Sequence, residues 1–326
     1  MSFYEGANGY FTILDVIKSK DCRDFVSGTA IKATEIADAY TESMNEYEEK
    51  VLVKTSDGVV NFRDFNEYSL TQLPSYTTRT TTCANLNPII EIDAALFDRW
   101  QSDGTLGQSI DDVKKDTFET AIKALGKQFY YGTGVDAKGF PGIDSYVQPG
   151  LRFSAGGSTS NAQSALYFVS WGRRDVSMVY GGGVGVPFDW SPWRRETRIT
   201  VNSDSGVDRE YRKTVMVCDF LMYPAVRVKK PASVAAVKNI ESGLTDAKLY
   251  KAFAYMQAAG MDGSNIVAYA HPLVIAQLQA SRTATNAAGA PAPMPTDICD
   301  GIPLRSTLSL NFGTDAVDST AGIITL

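Results

Sequence analysis

The sequence predicts an α+β fold, and three observations carry that reading. Gln108 to Tyr131 is one long amphipathic helical pattern, Ser164 to Phe220 is mainly of β character, and neither an internal repeat nor a regular strand and helix alternation is visible. The 326 residues leave room for about two ordinary domains, and 44% hydrophobic with 21% charged residues is a normal folded composition. A formal net charge of -6 argues against a broad basic face for nucleic acid, because such binding is driven by Lys and Arg neutralising phosphates. The first twenty residues hold Glu5, Asp15 and no continuous apolar run, so neither a signal peptide nor a membrane anchor is expected, and a cytoplasmic protein is.

Taken in chain order, the first thirty or so residues mix aromatics, glycine and charge too irregularly for an element and read as an arm. Ile36, Tyr40, Met44, Tyr47 and Val51 then recur at helical intervals among Glu35, Asp38, Glu42, Glu46, Glu48 and Glu49, which predicts an acidic amphipathic helix. The next segment, VLVKTSDGVVNFRDF, alternates, and Ser56, Asp57 and Gly58 offer a turn, so a hairpin is expected. Residues 68 to 87 are rich in Thr, Ser, Tyr and Asn with little hydrophobic mass, which suits either a ribbon reaching from the body or a surface loop.

The long helix has both ends marked. Ser109 is placed to cap it, Asp111 and Asp112 to occupy its first turn, and Gly132 to follow its last turn in a left-handed conformation. Ile110, Val113, Phe118, Ile122, Leu125 and Phe129 form one stripe, and Glu119 and Lys123 are spaced as an i,i+4 pair. At 1.5 Å per residue the rod is about 35 Å long, which fits a spine crossing a thin subunit or a core helix of any α+β protein. The helix closes into QFYYGTGVDAKGFPGI, a glycine-rich turn with no catalytic group, in which Gly132, Gly134 and Gly139 are expected to let the backbone turn.

Beyond a small polar linker at residues 156 to 161, SALYFVSW and VSMVY are strand candidates separated by a GRRD turn. Lys213 to Phe220 is a further strand after a turn at Asp204 to Asp208, leading towards Val226 and Val228. A helix begins near Thr245 with Leu249, Phe253 and Met256 on one side, Ile266 to Tyr269 is a short strand, and Pro272 opens a helix through Gln279. Residues 283 to 296 read as a mobile loop, and Ile302 to Phe312 as a closing strand.

A search for chemistry turns up little. Cys22, Cys83, Cys218 and Cys299 are scattered without metal spacing and read as reduced thiols. Gly181, Gly182, Gly183 and Gly185 in YGGGVGVP precede no helix start and no Lys-Ser/Thr pair, so they read as a tight β turn and not as a phosphate cradle. His271, the only histidine, stands just before Pro272 and suits a local turn role. Carboxylate pairs such as Asp111 with Asp112 and Glu48 with Glu49 diverge on helices and read as solvated faces. Arg173, Arg174, Arg194, Arg195 and Arg198 near Trp171, Trp190 and Trp193 suit nucleic acid or a protein interface, and the overall acidity favours the interface.

In order, these segments resemble the major capsid protein of tailed bacteriophages from about residue 30 to 326. The ordered set carries the resemblance: the spine helix, QFYYGTGVDAKGFPGI, SALYFVSWGRRDVSMVYGGGVG, REYRKTVMVCDFLMYPAVRVKKPASVAAVKNI, IVAYAHPLVIAQLQ and DGIPLRSTLSLN. It implies a tailed-phage capsid-shell fold with N-terminal arm, extended loop, spine helix in a peripheral domain, and axial domain. The implied division is residues 1–50 for the arm and first helix, 51–85 for the extended loop, and 86–138 for the peripheral domain. Residues 139–300 are then the axial domain with interleaved peripheral strands, and 301–326 a return strand of the peripheral domain.

Function then lies in association of identical chains, as pentamers and hexamers of an icosahedral shell around double-stranded DNA that is touched weakly and non-specifically. Scaffolding, portal and decoration proteins are the other implied partners, the virion capsid the location, and the bacterial cytoplasm the place of assembly. No membrane, cofactor, metal or catalytic residue is expected. Candidate assembly contacts are Lys54, Asp57, Arg63, Asp64 and Arg79 on the loop and Trp193, Arg194 and Arg195 beyond the glycine turn. The arm is short where many members carry a long cleaved scaffold segment, so separate scaffolding or none is expected. Lys54 has no marked Asn and acid to crosslink with, so crosslinking is not expected. The alternatives are an encapsulin-like compartment shell, a tail or decoration protein, and a small-molecule enzyme using the glycine turn and His271.

Overall fold

A computed structural model describes residues 33–68, 71–104, 106–182, 190–204, 207–261, 265–282, 293–299 and 301–326, with backbone alone at 71, 108, 200–204 and 207–211. The arm, Cys22, Gly183, Gly185 and most of the loop at 283 to 296 lie outside the described residues.

The chain enters through a short helix α1 (Thr34–Asp38) and turns at once into strand β1 (Thr41–Ser43) and then β2 (Glu48–Ser56). The predicted helix from Ile36 to Val51 is therefore wrong beyond Asp38. Ala39 is extended (φ -58, ψ 132), and β1 pairs in parallel with a strand far along the chain, a tertiary contact that overrides the local 3.6-residue pattern. The hairpin is also larger than expected. Strands β2 and β3 (Val59–Val60) lie on one arm, β4 (Thr71–Gln72) and β5 (Ser75–Thr82) on the other. Glu48 pairs with Thr82 and Val59 with Gln72, so the chain reverses beyond Val60 and not at Ser56 to Gly58. Gly58 is required by close approach instead, since a Cβ there would lie 2.5 Å from the Gln72 carbonyl oxygen.

Strand β6 (Ile89–Asp93) leads into α2 (Ala94–Ser102), whose N-cap Asp93 accepts from the Ala95 amide at 3.0 Å. The spine, α3 (Leu106–Tyr131), starts before Ser109, so that serine is inside the helix and not its cap, and Asp111 and Asp112 lie beyond its first turn. Its stripe is sound at the C-terminal half, where Phe118, Ile122, Leu125 and Phe129 are buried, while Ile110 and Val113 are half-buried. The Glu119–Lys123 pair forms at 2.7 Å.

The remaining strands are β7 (Arg152–Ser154), β8 (Ser164–Ser170), β9 (Val176–Tyr180), β10 (Arg194–Asp204), β11 (Val207–Asp219), β12 (Pro224–Val228) and β13 (Val234–Ile240). Then come α4 (Asp246–Ala258), β14 (Ile266–Ala270), α5 (Pro272–Ser281), β15 (Asp297–Ile298), β16 (Ile302–Ser306) and β17 (Ile324–Thr325). A mixed seven-stranded sheet runs β15-β16-β14-β8-β13-β7-β17, a second sheet runs β1-β9-β12, and a third runs β10-β11-β6. Strands β7, β8 and β13 face apolar neighbours on both sides and are buried almost throughout, with only Lys238 half-exposed. The closing strand ends at Ser306 and not at Phe312, and it joins the seven-stranded sheet.

The QFYY end of the spine ties that helix to the main sheet. Phe129 stacks on Trp171 at 5.6 Å between centroids, Tyr130 meets Tyr167 at 5.1 Å, and the Trp171 indole donates to the Tyr269 hydroxyl at 2.8 Å. Gln128 donates to the Phe140 carbonyl at 2.8 Å, and the Asn311 amide donates to the Tyr131 hydroxyl at 2.9 Å. One helical turn thus fastens the spine, the FPGI loop and the closing segment.

Candidate assembly surfaces

Two surfaces collect the eight candidate contacts. The first is the ribbon of β2 to β5. Its root is firm, because Val51, Val53 and Thr81 are buried and the Cys83 and Ala84 amides donate to the Tyr47 and Pro224 carbonyls at 2.9 and 3.0 Å. Arg227, only 3% exposed, pairs there with Glu42 and, at 2.7 Å, with Glu49. Arg79 lies over the Tyr146 ring at 4.8 Å, which places this candidate at the root and in contact with its own chain.

Further out the ribbon is largely exposed. Leu52, Val60, Leu73 and Tyr76 face solvent, and at the tip Phe62, Phe65 and Tyr68 are 108%, 98% and 101% exposed. The charged candidates sit among them: Lys54 pairs with Asp57, Arg63 donates to the Glu67 carbonyl at 2.9 Å, and the Asp64 amide donates to the Glu67 carboxylate at 3.2 Å. Sequence reading found these charges and missed the aromatics. The available signal was three aromatics at three-residue spacing in a polar stretch with no apolar partner strand. A lone two-stranded ribbon with apolar residues on both faces is unstable in water unless a partner covers it.

The second surface is the sheet β10-β11-β6 with α2. Trp193 packs on Phe97 at 5.4 Å, and Lys114 of the spine reaches over both Trp190 and Trp193 at 5.7 and 6.0 Å. Arg194 is bound to Asp219 at 2.8 Å, Arg195 to Asp98 at 2.9 Å and Arg198 to Glu91 at 2.6 Å. These guanidinium groups are matched by carboxylates of their own chain. The other basic pair is elsewhere: Arg173 and Arg174 are exposed at the β8 to β9 turn, with Arg173 4.0 Å from Glu42. The Arg195–Asp98 and Arg198–Glu91 pairs are exposed, so the Arg195 and Asp98 alanine double-mutant cycle is expected to give a coupling below about 1 kcal/mol in urea unfolding.

The remaining chemistry candidates have local structural roles. His271 caps α5, its Nδ1 accepting from the Leu273 amide at 3.2 Å while its ring stacks on Phe312 at 5.4 Å, and burial lowers its pKa. Among the described residues Cys83, Cys218 and Cys299 are free thiols, no cluster of His, Cys, Asp and Glu has metal geometry, and no helix is long and apolar enough to cross a membrane.

No protein-family model and no curated protein sequence matches this chain. Solved structures do. A chain of the near-atomic cryo-EM structure of bacteriophage Epsilon15 aligns over 86% of this chain and 88% of its own length, at 17% identity and a TM-score of 0.55. The bacteriophage JBD30 capsid aligns over 91% of this chain and 98% of its own length, at 10% identity and a TM-score of 0.51. An encapsulin complex from Synechococcus elongatus covers 62% of this chain and 85% of its own, at 8% identity and a TM-score of 0.40, which is too low to carry an argument. The mixed sheet, the spine helix and the projecting ribbon therefore make up the α+β fold of a phage capsid shell subunit.

Proposed function

We propose that the chain is a structural major capsid protein, without enzymatic chemistry, that self-assembles as pentamers and hexamers into an icosahedral shell enclosing a phage DNA genome. The observation that carries this reading is the ribbon, with Phe62, Phe65 and Tyr68 fully in solvent on a subunit of capsid fold. Covering each such aromatic contributes roughly 1.5–3 kcal/mol, and the contact repeats for every subunit of the particle. In this reading the spine and the sheet β10-β11-β6 form the peripheral domain, and the seven-stranded sheet with α4 and α5 the axial domain. Trp193, Arg194 and Arg195 then sit on a rim, where charged groups set register between neighbours more than affinity.

Scaffolding, portal and decoration proteins are the expected partners in a virion assembled in the host cytoplasm. Packaged DNA is confined more than held, since the net charge is -6 and the arginines of the second surface are matched. Isolated capsomers are accordingly expected to bind DNA weakly at physiological salt, where screening lengths are about 8 Å. Tight, steeply salt-dependent binding in a filter assay would contradict this.

Negative-stain microscopy of the expressed chain, alone and with its scaffold, tests the main claim. Closed particles or capsomer rings are expected, whereas a monomer under all conditions, or tubes, would sink it. The nucleic-acid content of purified virions separates a genome shell from a cellular compartment. His271→Ala is expected to leave assembly intact, as its contacts are those of a helix cap.

A further inference from the structure

Where the described chain enters the body, a carboxyl group is sealed inside. Glu35 is 0% exposed. Its Oε1 accepts from the Ser309 hydroxyl at 2.5 Å, while its Oε2 and the buried Tyr130 hydroxyl are both left without a hydrogen-bond partner. Space is tight on the spine side, because a Cβ at Gly126 would lie 2.5 Å from Glu35 Oε1 and 2.2 Å from Ser309 Oγ.

The groups facing Glu35 are hydroxyls from each element packed on α1. Tyr130 comes from the spine, and Thr307 and Ser309 from the segment after β16. Tyr269 of β14 stands further off and bonds Trp171 and, at 3.3 Å, Asp38. The nearest cation of the closing segment, Arg305, lies 3.6 Å from Asp38, and no ion pair with Glu35 forms among the described residues. A carboxylate here has no countercharge, whereas a neutral carboxyl can donate through the oxygen that now lacks a partner.

We propose that Glu35 is a proton-operated latch: protonated, it fastens residues 33–38 to the spine and the closing segment, and on losing its proton it lets them go. Thr34, whose hydroxyl donates to the Ser306 carbonyl at 2.6 Å, closes the same joint. Burial, against the lowering effect of the Ser309 hydroxyl, pushes the docked carboxyl from 4.5 up to about 7. The sign of the pH effect follows. A released Glu35 titrates near its ordinary value, so between about 4.5 and about 7 the released state ionises first and docking weakens as pH rises. Above about 7 both states are ionised and the weakening is complete, at roughly 300-fold for the difference of about 2.5 units between 7 and 4.5. Burial raises Asp38 in the same sense, against Arg305 and Tyr269, so the Glu35 contribution must be isolated by substitution.

Hydrogen exchange of the full chain, read at residues 34–38 and corrected for intrinsic rates, tests the latch between about pH 5 and about pH 8. The opening equilibrium is expected to rise tenfold or more in the wild type and several-fold less in Glu35→Gln, where only the Asp38 contribution remains. Ser309→Ala removes a hydrogen bond that favours the ionised form and is expected to move the midpoint upward. Equal wild-type protection at both pH values, or the same rise in Glu35→Gln, overturns the proposal. Should Glu35→Gln fail to fold, infrared difference spectra of the wild type decide: a neutral carboxyl band titrating near about 7 is expected, and its absence overturns the latch.

Discussion

Phe62→Ser, Phe65→Ser and Tyr68→Ser together are expected to abolish particle formation while leaving the subunit folded. The three rings are fully exposed at the ribbon tip, so nothing in the isolated subunit is lost with them. Exposed substitutions change stability by about 0.5 kcal/mol or less each, so the three together move the melting temperature of a domain of this size by about 6 °C at most. If a neighbouring chain covers the rings, their loss removes roughly 5–9 kcal/mol of contact per subunit before any ordering cost. At about 1.4 kcal/mol per tenfold, the concentration needed for assembly rises by at least about 10³. Sedimentation and electron microscopy, with a parallel thermal melt, read both halves. Wild-type particle yield from the triple variant would remove the ribbon tip from assembly. A variant that no longer melts cooperatively would mean that the tip packs on its own chain.

How far the sequence carried depends on whether the deciding contact is local. The spine was legible because its stripe from Phe118 to Phe129 meets one buried face and its end is marked by Gly132. Strands β8 and β9 and helices α4 and α5 were legible for the same reason, each being written in its own apolar run or in Pro272 at the first helical position. The stretch from Tyr40 to Val51 carries a helical spacing too, yet its backbone pairs with Met178 to Tyr180 and with Thr80 to Thr82, partners that no local window contains. Strand β10 was passed over as a basic group because its arginines and glutamate alternate with polar residues and answer carboxylates on other elements. The candidate site was half legible. Its charges stand out in any sequence, while the exposure of Phe62, Phe65 and Tyr68 exists only once the ribbon is seen to leave the body. The buried carboxyl of Glu35 reads in sequence as one acid among many in an acidic amphipathic helix, since its surroundings come from positions 130, 307 and 309.

Gly132→Ala is expected to destabilise the subunit by about 3 kcal/mol or more, and Gly134→Ala, two residues on, is expected to be neutral or slightly stabilising. Both glycines belong to the turn that closes the spine, and both were read as giving the backbone freedom to turn. The structure separates them. Gly132 has φ +55, and a Cβ there would lie 2.0 Å from the Gly142 amide nitrogen and 2.9 Å from its Cα, both of them backbone atoms that cannot rotate away. Gly142 returns the contact, its own Cβ position lying 2.4 Å from the Gly132 nitrogen and 2.5 Å from the Tyr130 carbonyl oxygen. The two glycines of YYG and FPG are therefore the crossing point at which the end of the spine and the following loop touch backbone to backbone. Gly134 has open space around its Cβ position and no left-handed φ, so an alanine there restricts mainly the unfolded chain. Gly139 falls between, since its Cβ would meet the Gln128 side chain at 2.1 Å and displace the amide that holds the Phe140 carbonyl. The order of loss in urea unfolding is thus Gly132 and Gly142 first, Gly139 next and Gly134 last, with the m-value unchanged. Equal effects at 132 and 134 would mean that the motif serves chain flexibility, and the backbone crossing would then have no part in fixing the angle between the spine and the main sheet.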